Sequence, residues 1–273
     1  MTDTADNADL IDDNRRHWDE RVPIHAAGSF YDLDGFRAGN ECLDRFQLDE
    51  VGDVTDLDLA HLQCHIGLDT LSWARRGARV SGLDFSAAAT ATATSLAEEI
   101  CLAGRARFVT ADIYDAPAVL DAHAFDLVYT GIGALMWLPD IDRWAHTVAK
   151  LLRPGGRLYV AEFHPITDTL DDSTGLTVVS DYFDRRPNTY HSPGSYADPQ
   201  APTAHNTATE WHHTLGDVIS AIAAAGLRIT FLHEHHTIPF RRYEALVTDG
   251  THFRYPDRTA RMPLMYSLSA TAD

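Results

Sequence analysis

Polar residues with the spacing of a nucleotide site follow short apolar segments in the middle of the chain. The loop Gln63-Cys64-His65-Ile66-Gly67 comes after the first segment, and Asp84 closes the second, 17 positions beyond Gly67. Dinucleotide-binding units place an acid about 20 residues after their glycine loop. A carboxylate there can accept hydrogen bonds from both hydroxyls of a ribose. The spacing therefore predicts binding of an adenosine-like group.

A second acid extends this pattern. Asp112 closes the third segment, where its carboxylate could accept from an adenine amino group while Phe85 or Ile113 packs on the ring. Two further segments end at Thr130-Gly131 and at Glu162-Phe163-His164. We expect all these ends to meet at one edge of a sheet, since ligands of open parallel sheets bind beyond the carboxyl ends of the strands.

The elements that would position these residues alternate between strand and helix. Alternation of this kind predicts an α/β fold with a doubly wound, mostly parallel sheet. Ser86 is a suitable N-cap, and Thr214 with Asp217 resembles a capping box. Strands are predicted at 57–63, 78–84, 105–113, 125–131, 157–163, 227–235 and 263–272, and helices at 68–76, 86–102, 140–152 and 214–226.

Five parts of the chain differ in composition. The first, residues 1–13, is acidic and polar and predicts a disordered tail, and residues 166–212 lack any sustained period and are long for a loop, which is typical of a lid. The predicted organisation is a tail at 1–13, a lid segment of short helices and turns at 14–50, a cofactor-binding core at 51–165, a lid insertion at 166–212, and the rest of the core sheet at 213–273.

These residues resemble the class I, Rossmann-like S-adenosylmethionine-dependent methyltransferases. The resemblance covers residues 57–165 directly and residues 214–273 by pattern, and its more specific part is Leu151-Leu152-Arg153-Pro154-Gly155-Gly156-Arg157-Leu158, before the fifth strand. It implies S-adenosyl-L-methionine as cofactor. It also implies a seven-stranded sheet whose last strand is antiparallel and lies beside the fifth.

The first loop departs from the usual form of that family, acidic-x-Gly-x-Gly-x-Gly. Here the stretch reads His61-Leu62-Gln63-Cys64-His65-Ile66-Gly67, which is similar to a branch of the family with an HLQCHIG-type loop. Because glycines let the backbone approach the methionine part of the cofactor, the side chains of Gln63 and His65 must point away or take over contacts. The cofactor-binding residues implied are Gln63, His65, Gly67, Asp84, Phe85, Ser86, Asp112, Ile113, Thr130 and Gly131.

Methyl transfer needs an aligned acceptor and, for a hydroxyl or an acidic carbon, a base that removes a proton. A base near the end of the fourth or fifth strand would be closest to the methyl group. His164 is the first candidate, with Glu162 and His212 as the others. The aromatic residues of the predicted lid that would cover the acceptor are Trp18, Tyr31, Tyr182 and Trp211.

Composition narrows the class of partner. The formal net charge of −18 disfavours nucleic acid and favours a neutral or cationic small molecule. We predict a cytoplasmic protein, because the three cysteines lack CxxC spacing and the sequence shows neither a signal sequence nor a membrane span. A homodimer is compatible with this prediction. His233 and His235 share one face of a strand, but two histidines without a third ligand do not predict a metal site.

Two other functions fit part of the pattern. A nicotinamide-dependent dehydrogenase would share the first strand–helix–strand unit, but the GxGxxG loop and a Tyr-x-x-x-Lys pair are absent from the sequence. A non-catalytic or non-methylating S-adenosylmethionine-binding protein would account for the altered glycine loop. Cofactor binding without turnover would distinguish this second alternative.

Overall fold

A seven-stranded sheet organises the chain. The computed structural model describes residues 4–273, and the strands run in the order β3-β2-β1-β4-β5-β12-β8. Strands β1 to β5 are parallel, and β12 lies antiparallel between β5 and β8, as the resemblance implies. The strands of this sheet are β1 (Asp58–Leu62), β2 (Arg79–Asp84), β3 (Ala106–Thr110), β4 (Phe125–Thr130), β5 (Leu152–Phe163), β8 (Leu227–His235) and β12 (Met265–Ala272).

Helices cover both faces of the sheet because its central strands are apolar on both sides. Leu158 and Val160 pack on one face, with Trp144 of α7, and Tyr159 and Ala161 pack on the other face with side chains that include Trp73 of α4. The helices are α1 (Thr4–Ala27), α2 (Leu33–Arg37), α3 (Arg45–Val51), α4 (Leu68–Arg75), α5 (Ala87–Glu99), α6 (Ala116–Val119), α7 (Ile141–Leu151) and α8 (Leu215–Ala224).

Local sequence signals predict the bounds of most of these elements to within a few residues. Ser86 caps α5 by accepting from the Ala89 amide, and Thr214 and Asp217 form the predicted capping box of α8. Strand β3 is shorter than predicted, since Asp112 begins a 3₁₀ turn. The predicted stop at Arg153-Pro154-Gly155-Gly156 lies inside β5 as a bulge, where Gly155 has a φ of 77°.

The N-terminal segment is more regular than predicted. α1 begins at Thr4, so residues 4–13 are helical rather than the disordered tail that the sequence predicts; residues 1–3 lie outside the described part. The helix continues past Pro23, which is only one turn from its end. The prediction of short helices and turns holds for α2 and α3 but was wrong for residues 14–27.

The insertion at 166–212 contains a hairpin that binds α1. Its strands are β6 (Asn188–His191) and β7 (Thr207–Glu210). Asn14 of α1 pairs with the backbone of Thr209 through both groups of its amide, at 2.7 and 2.8 Å. Arg21 donates to the carbonyls of Ser192 and His205. The N-terminal helix and the insertion therefore form one layer, which we call the cover.

The segment between β8 and β12 forms a small sheet. Strands β9 (Thr237–Ile238), β10 (Val247–Thr248) and β11 (Phe253–Arg254) pair in the order β10-β11-β9. Tyr243 and Tyr255 anchor it, since both are buried and donate to the carbonyls of Thr167 and Gly175. None of the helices in the described residues is long and apolar enough to cross a membrane.

Candidate functional site

A large cavity lies at the carboxyl edge of the sheet. Its volume is about 1020 Å³, at the upper end of the range for small-molecule sites and enough for two ligands side by side. It lies where the strand order reverses between β1 and β4, the usual ligand position in such sheets. Seven of the ten predicted cofactor-binding residues line it: Gln63, His65, Asp84, Phe85, Ser86, Asp112 and Ile113.

The loop after β1 keeps the backbone shape of a glycine loop although two of its glycines are absent. Gln63, His65 and Gly67 all have a left-handed backbone, with φ values of 60°, 48° and 81°. Residues other than glycine adopt this region rarely and at a cost of about 1–3 kcal/mol each, mostly at functional sites. The fold therefore maintains the loop at the cost of local strain.

The two substituted side chains make contacts that glycine could not make. Nε2 of Gln63 donates to the carbonyl of Ala134 at 2.9 Å, while its Oε1 is buried and has no partner among the described residues. Nε2 of His65 lies 3.1 Å from Nδ1 of His25 on α1, and Nε2 of His25 lies 2.7 Å from Oγ of Ser195 in the insertion. The loop is thus bound both to the end of β4 and to the cover.

Asp84 is held at the end of β2 by backbone amides. One oxygen accepts from the His65 amide at 2.8 Å, and the other accepts from the Ser86 amide at 2.9 Å. Burial raises the pKa of Asp84 to about 6, and the two amides act in the opposite direction. Each oxygen retains a lone pair, so the carboxylate can still accept from a diol in the cavity.

Some of the other predicted cofactor-binding residues line the cavity, and the rest lie behind its wall. Asp112 lines the cavity and also caps the 3₁₀ turn by accepting from the Tyr114 amide. The remaining three predicted residues do not line it. Gly67 is required for packing, since a Cβ there would lie 2.7 Å from Ala93, and Thr130 is buried with no partner for its hydroxyl among the described residues. Gly131 leaves space for neighbouring side chains.

None of the three predicted bases lines the large cavity. The two oxygens of Glu162 accept from four amides, those of Gly133, Ala134, Leu135 and Phe163, at 2.6–2.9 Å. Burial raises the pKa of Glu162 to about 7, whereas the four donors favour its ionised form. These contacts fix the turn after β4, which supports a structural role for Glu162.

Neither of the two histidines proposed as bases lines the large cavity. Nδ1 of His164 accepts from the Ile166 amide at 3.2 Å, and Nε2 lies 3.1 Å from Glu234. His212 lines a separate cavity of about 30 Å³ together with Glu162, and burial lowers its pKa. The geometry therefore does not support His164 as a base at the large cavity.

Two of the four predicted lid aromatics reach the cavity. Trp18 and Tyr31 line it, together with Tyr196, whose hydroxyl contacts that of Tyr31. Tyr182 instead accepts from the Leu215 amide, and Trp211 lines the small cavity beside His212. The cavity wall next to the cover is therefore aromatic, but through a different set of residues from the one predicted.

Sequence reasoning missed several residues on the wall. Asp69, Glu41 and Asp44 line the cavity, and Asp69 lies in the first turn of α4. Acidic residues are common in the first turn of a helix because they interact favourably with the helix dipole, so the sequence alone did not mark Asp69 as a ligand-binding residue. His25 and Ser195 lie 170 positions apart, and only the fold brings them together.

The strand histidines bind protein groups. Nδ1 of His233 lies 2.7 Å from Glu50, and Nε2 of His235 lies 2.9 Å from Oγ of Ser267. Within the described residues, no group of three or more His, Cys, Asp or Glu side chains is placed to hold a metal ion.

Comparison with known proteins identifies the central part of the chain. Residues 59–156, which include most of β1, the loop at 63–67 and all of β2, β3 and β4, match the family model described as "Methyltransferase domain". The central part of the chain is therefore similar to a methyltransferase domain. A search of curated proteins found no significant match.

Solved structures share the fold of this chain at low identity. A protein of Listeria monocytogenes assigned as an S-adenosylmethionine-dependent methyltransferase is 20% identical, with a TM-score of 0.62 over 84% of this chain and 97% of that one. Geranyl diphosphate C-methyltransferase from Streptomyces coelicolor A3(2), in complex with S-adenosyl-L-homocysteine, is 17% identical, with a TM-score of 0.54 over 84% and 77%. The [4+2]-cyclase SpnF is 17% identical, with a TM-score of 0.54 over 94% of each chain.

Proposed function

We propose that this protein transfers a methyl group from S-adenosyl-L-methionine to a small-molecule acceptor. The observation that carries the proposal is the convergence of Asp84, Asp112 and the loop at 63–67 on one cavity beneath the β1–β4 reversal. Asp84 would hold the ribose hydroxyls and Asp112 the adenine edge, with Phe85 and Ile113 against the ring.

One unpaired group of the loop fits such a ligand. Oε1 of Gln63 is buried without a partner among the described residues, and a bound donor would satisfy it. The cofactor, when bound, supplies an activated methyl group on a sulfonium, so the protein does not need to activate the methyl donor further. The residues of this chain then have to align the acceptor, exclude water and, where needed, accept a proton.

Aromatic residues of the cover and of its neighbours serve the first two of these functions. Trp18, Tyr31 and Tyr196 form an aromatic wall, and Phe163 and Phe240 add apolar surface at the end of β5 and beyond β9. Such a wall favours an acceptor that is partly apolar. Several groups of the cavity wall could accept a proton, among them His65 and Asp69, whereas His164, Glu162 and His212 lie outside it.

Calorimetric titration with S-adenosyl-L-homocysteine tests the proposal, with NADH as the control ligand. We expect micromolar binding of the first and no binding of the second. Methyl transfer from labelled S-adenosyl-L-methionine across a panel of hydroxyl, amine and acidic-carbon acceptors would then identify the acceptor class. Failure to bind S-adenosyl-L-homocysteine would leave only a similarity of fold.

A second function is supported by one observation, the absence of all three predicted bases from the wall of the cavity. A cofactor-binding protein that does not methylate would need none, and SpnF, a cyclase, shares the fold. Tight binding of S-adenosyl-L-homocysteine without turnover on any acceptor of the panel would favour this alternative.

A further inference from the structure

An acid on the cavity wall has no positive partner in the protein. Asp69 accepts from the hydroxyl of Tyr129 at 3.1 Å and, weakly, from Sγ of Cys42 at 3.5 Å. Among residues 7–273 no basic side chain pairs with it, and burial raises its pKa to about 6. Buried carboxylates are normally paired, because removal of a charge from water is costly.

The neighbouring acids differ from Asp69 in this respect. Glu41 pairs with Arg76 at 2.9 Å, and Asp44 lies 2.5 Å from His252. Both contribute negative potential at Asp69 and raise its pKa further. The three acids line the same cavity, but within the described residues Asp69 is the one among them that contacts neither a guanidinium nor an imidazole group.

The position of Asp69 is defined by the end of β4. A Cβ on Gly131 would lie 3.3 Å from Oδ2 of Asp69 and 3.4 Å from Nε2 of His61, so both atoms converge on the same point. His61 is buried and its pKa is lowered to about 3, so it is neutral and supplies no counter-charge; its Nε2 has no partner among the described residues. The carboxylate therefore lies at the switch point of the sheet.

Aromatic surface continues from this point toward the cover. Tyr31 is near enough to Asp69 for the charge of the carboxylate to contribute to the raised pKa of its phenol, after burial and Tyr196. Aromatic faces and an unpaired carboxylate both attract cations. The one basic side chain among the residues lining the cavity, Arg241, is exposed.

We propose that Asp69 is the binding site for an ammonium group of a ligand. The inference rests on the proposed function, which offers two sources of that group, the methionine part of the cofactor and an amine on the acceptor. In either case the ion pair forms in the cavity, with Tyr129 and Cys42 orienting the carboxylate. Asp69 is thus a specificity residue whose partner arrives with the ligand.

Ligand binding to Asp69→Asn tests this and separates the two sources. The probes are S-adenosyl-L-homocysteine, which carries the ammonium, and 5′-methylthioadenosine, which shares the adenosine and thioether but lacks it. If the cofactor is the source, the variant should bind S-adenosyl-L-homocysteine about tenfold or more weakly and 5′-methylthioadenosine as the wild type does. Asp49→Asn, which makes the same charge change at an exposed residue, should bind both as the wild type does.

If both adenosine ligands bind the variant normally, phenethylamine and the neutral 2-phenylethanol are titrated into the complex with S-adenosyl-L-homocysteine. Loss of the amine alone in the variant supports the acceptor as the source. The proposal is overturned if no probe distinguishes the variant from wild type, or if both adenosine ligands weaken equally. If the wild type binds no S-adenosyl-L-homocysteine, the proposed function fails. The role of Asp69 is then tested by titrating phenethylamine and 2-phenylethanol into the free wild-type and variant proteins.

Discussion

The substitution Glu162→Gln separates a structural role from a catalytic one. Glutamine is nearly the same size as glutamate, so no cavity is created. One carboxylate oxygen becomes an amide nitrogen, however, and each oxygen of Glu162 accepts from two backbone amides. Two of the four amides would then face a donor instead of an acceptor.

The cost follows from these contacts. A hydrogen bond to a charged group contributes about 1.5–3 kcal/mol, so loss of two such bonds gives about 3–6 kcal/mol before relaxation. We expect the free energy of unfolding to fall by about 3 kcal/mol, which corresponds to about 6–12 °C in Tm for a chain of this size. Because Gln63 donates to Ala134 in the same turn, binding of S-adenosyl-L-homocysteine should weaken as well.

Urea and thermal unfolding measure the stability, with Glu98→Gln on the exposed face of α5 as the matched control. The control should unfold as the wild type does. If Glu162→Gln were as stable as wild type within about 1 kcal/mol, bound S-adenosyl-L-homocysteine normally and yet abolished methyl transfer, Glu162 would be a base and the structural assignment would be refuted.

Three further outcomes follow from the site. Asp84→Asn should weaken S-adenosyl-L-homocysteine by about 10–100-fold through loss of a charged hydrogen-bond acceptor, and unchanged affinity in calorimetry would remove the ribose assignment. His65→Gly should retain cofactor binding, since the backbone φ of 48° at this position suits glycine, but it should accelerate amide hydrogen exchange in residues 192–206. Unchanged exchange would mean that the contact between His65 and His25 does not stabilise the cover. Burial lowers the pKa of His25 from 6.5 to about 4, so the unfolded state binds more protons and stability falls as the pH drops through this window. His25→Gln should therefore lose about 2 kcal/mol less stability than wild type between pH 7 and pH 5, and equal losses in urea unfolding at the two pH values would contradict the buried neutral state.

The sheet was predictable because its signals are local. Apolar segments, the Ser86 cap and the Thr214 capping box each act over a few residues, and the alternation of strand and helix predicts a parallel, doubly wound sheet. The antiparallel last strand beside the fifth followed from the family resemblance instead. The strand ends then locate the ligand edge without any knowledge of packing. This is why Asp84 and Asp112 could be placed at the cavity from sequence.

The cover and the base could not be predicted in the same way. α1 depends on contacts with Thr209 and His205, almost 200 residues away, and the sequence of residues 4–13 alone has the composition of a disordered tail. Glu162 stands at a strand end like Asp84, but four amides of neighbouring turns surround it, and a sequence does not show which backbone groups need an acceptor.

The hydrogen bonds of α1 also determine an order of events during synthesis. Its packing on α5 can form once residue 99 has been made, but Asn14 must wait for Thr209, 195 residues later. At a synthesis rate of about 5–20 residues per second, the interval between Asn14 and Thr209 is about 10–40 s. The five parallel strands are complete well before it ends, so the ligand edge of the sheet stands open on the ribosome. We expect this edge to be covered only when the insertion has been made and its contacts with α1 have formed.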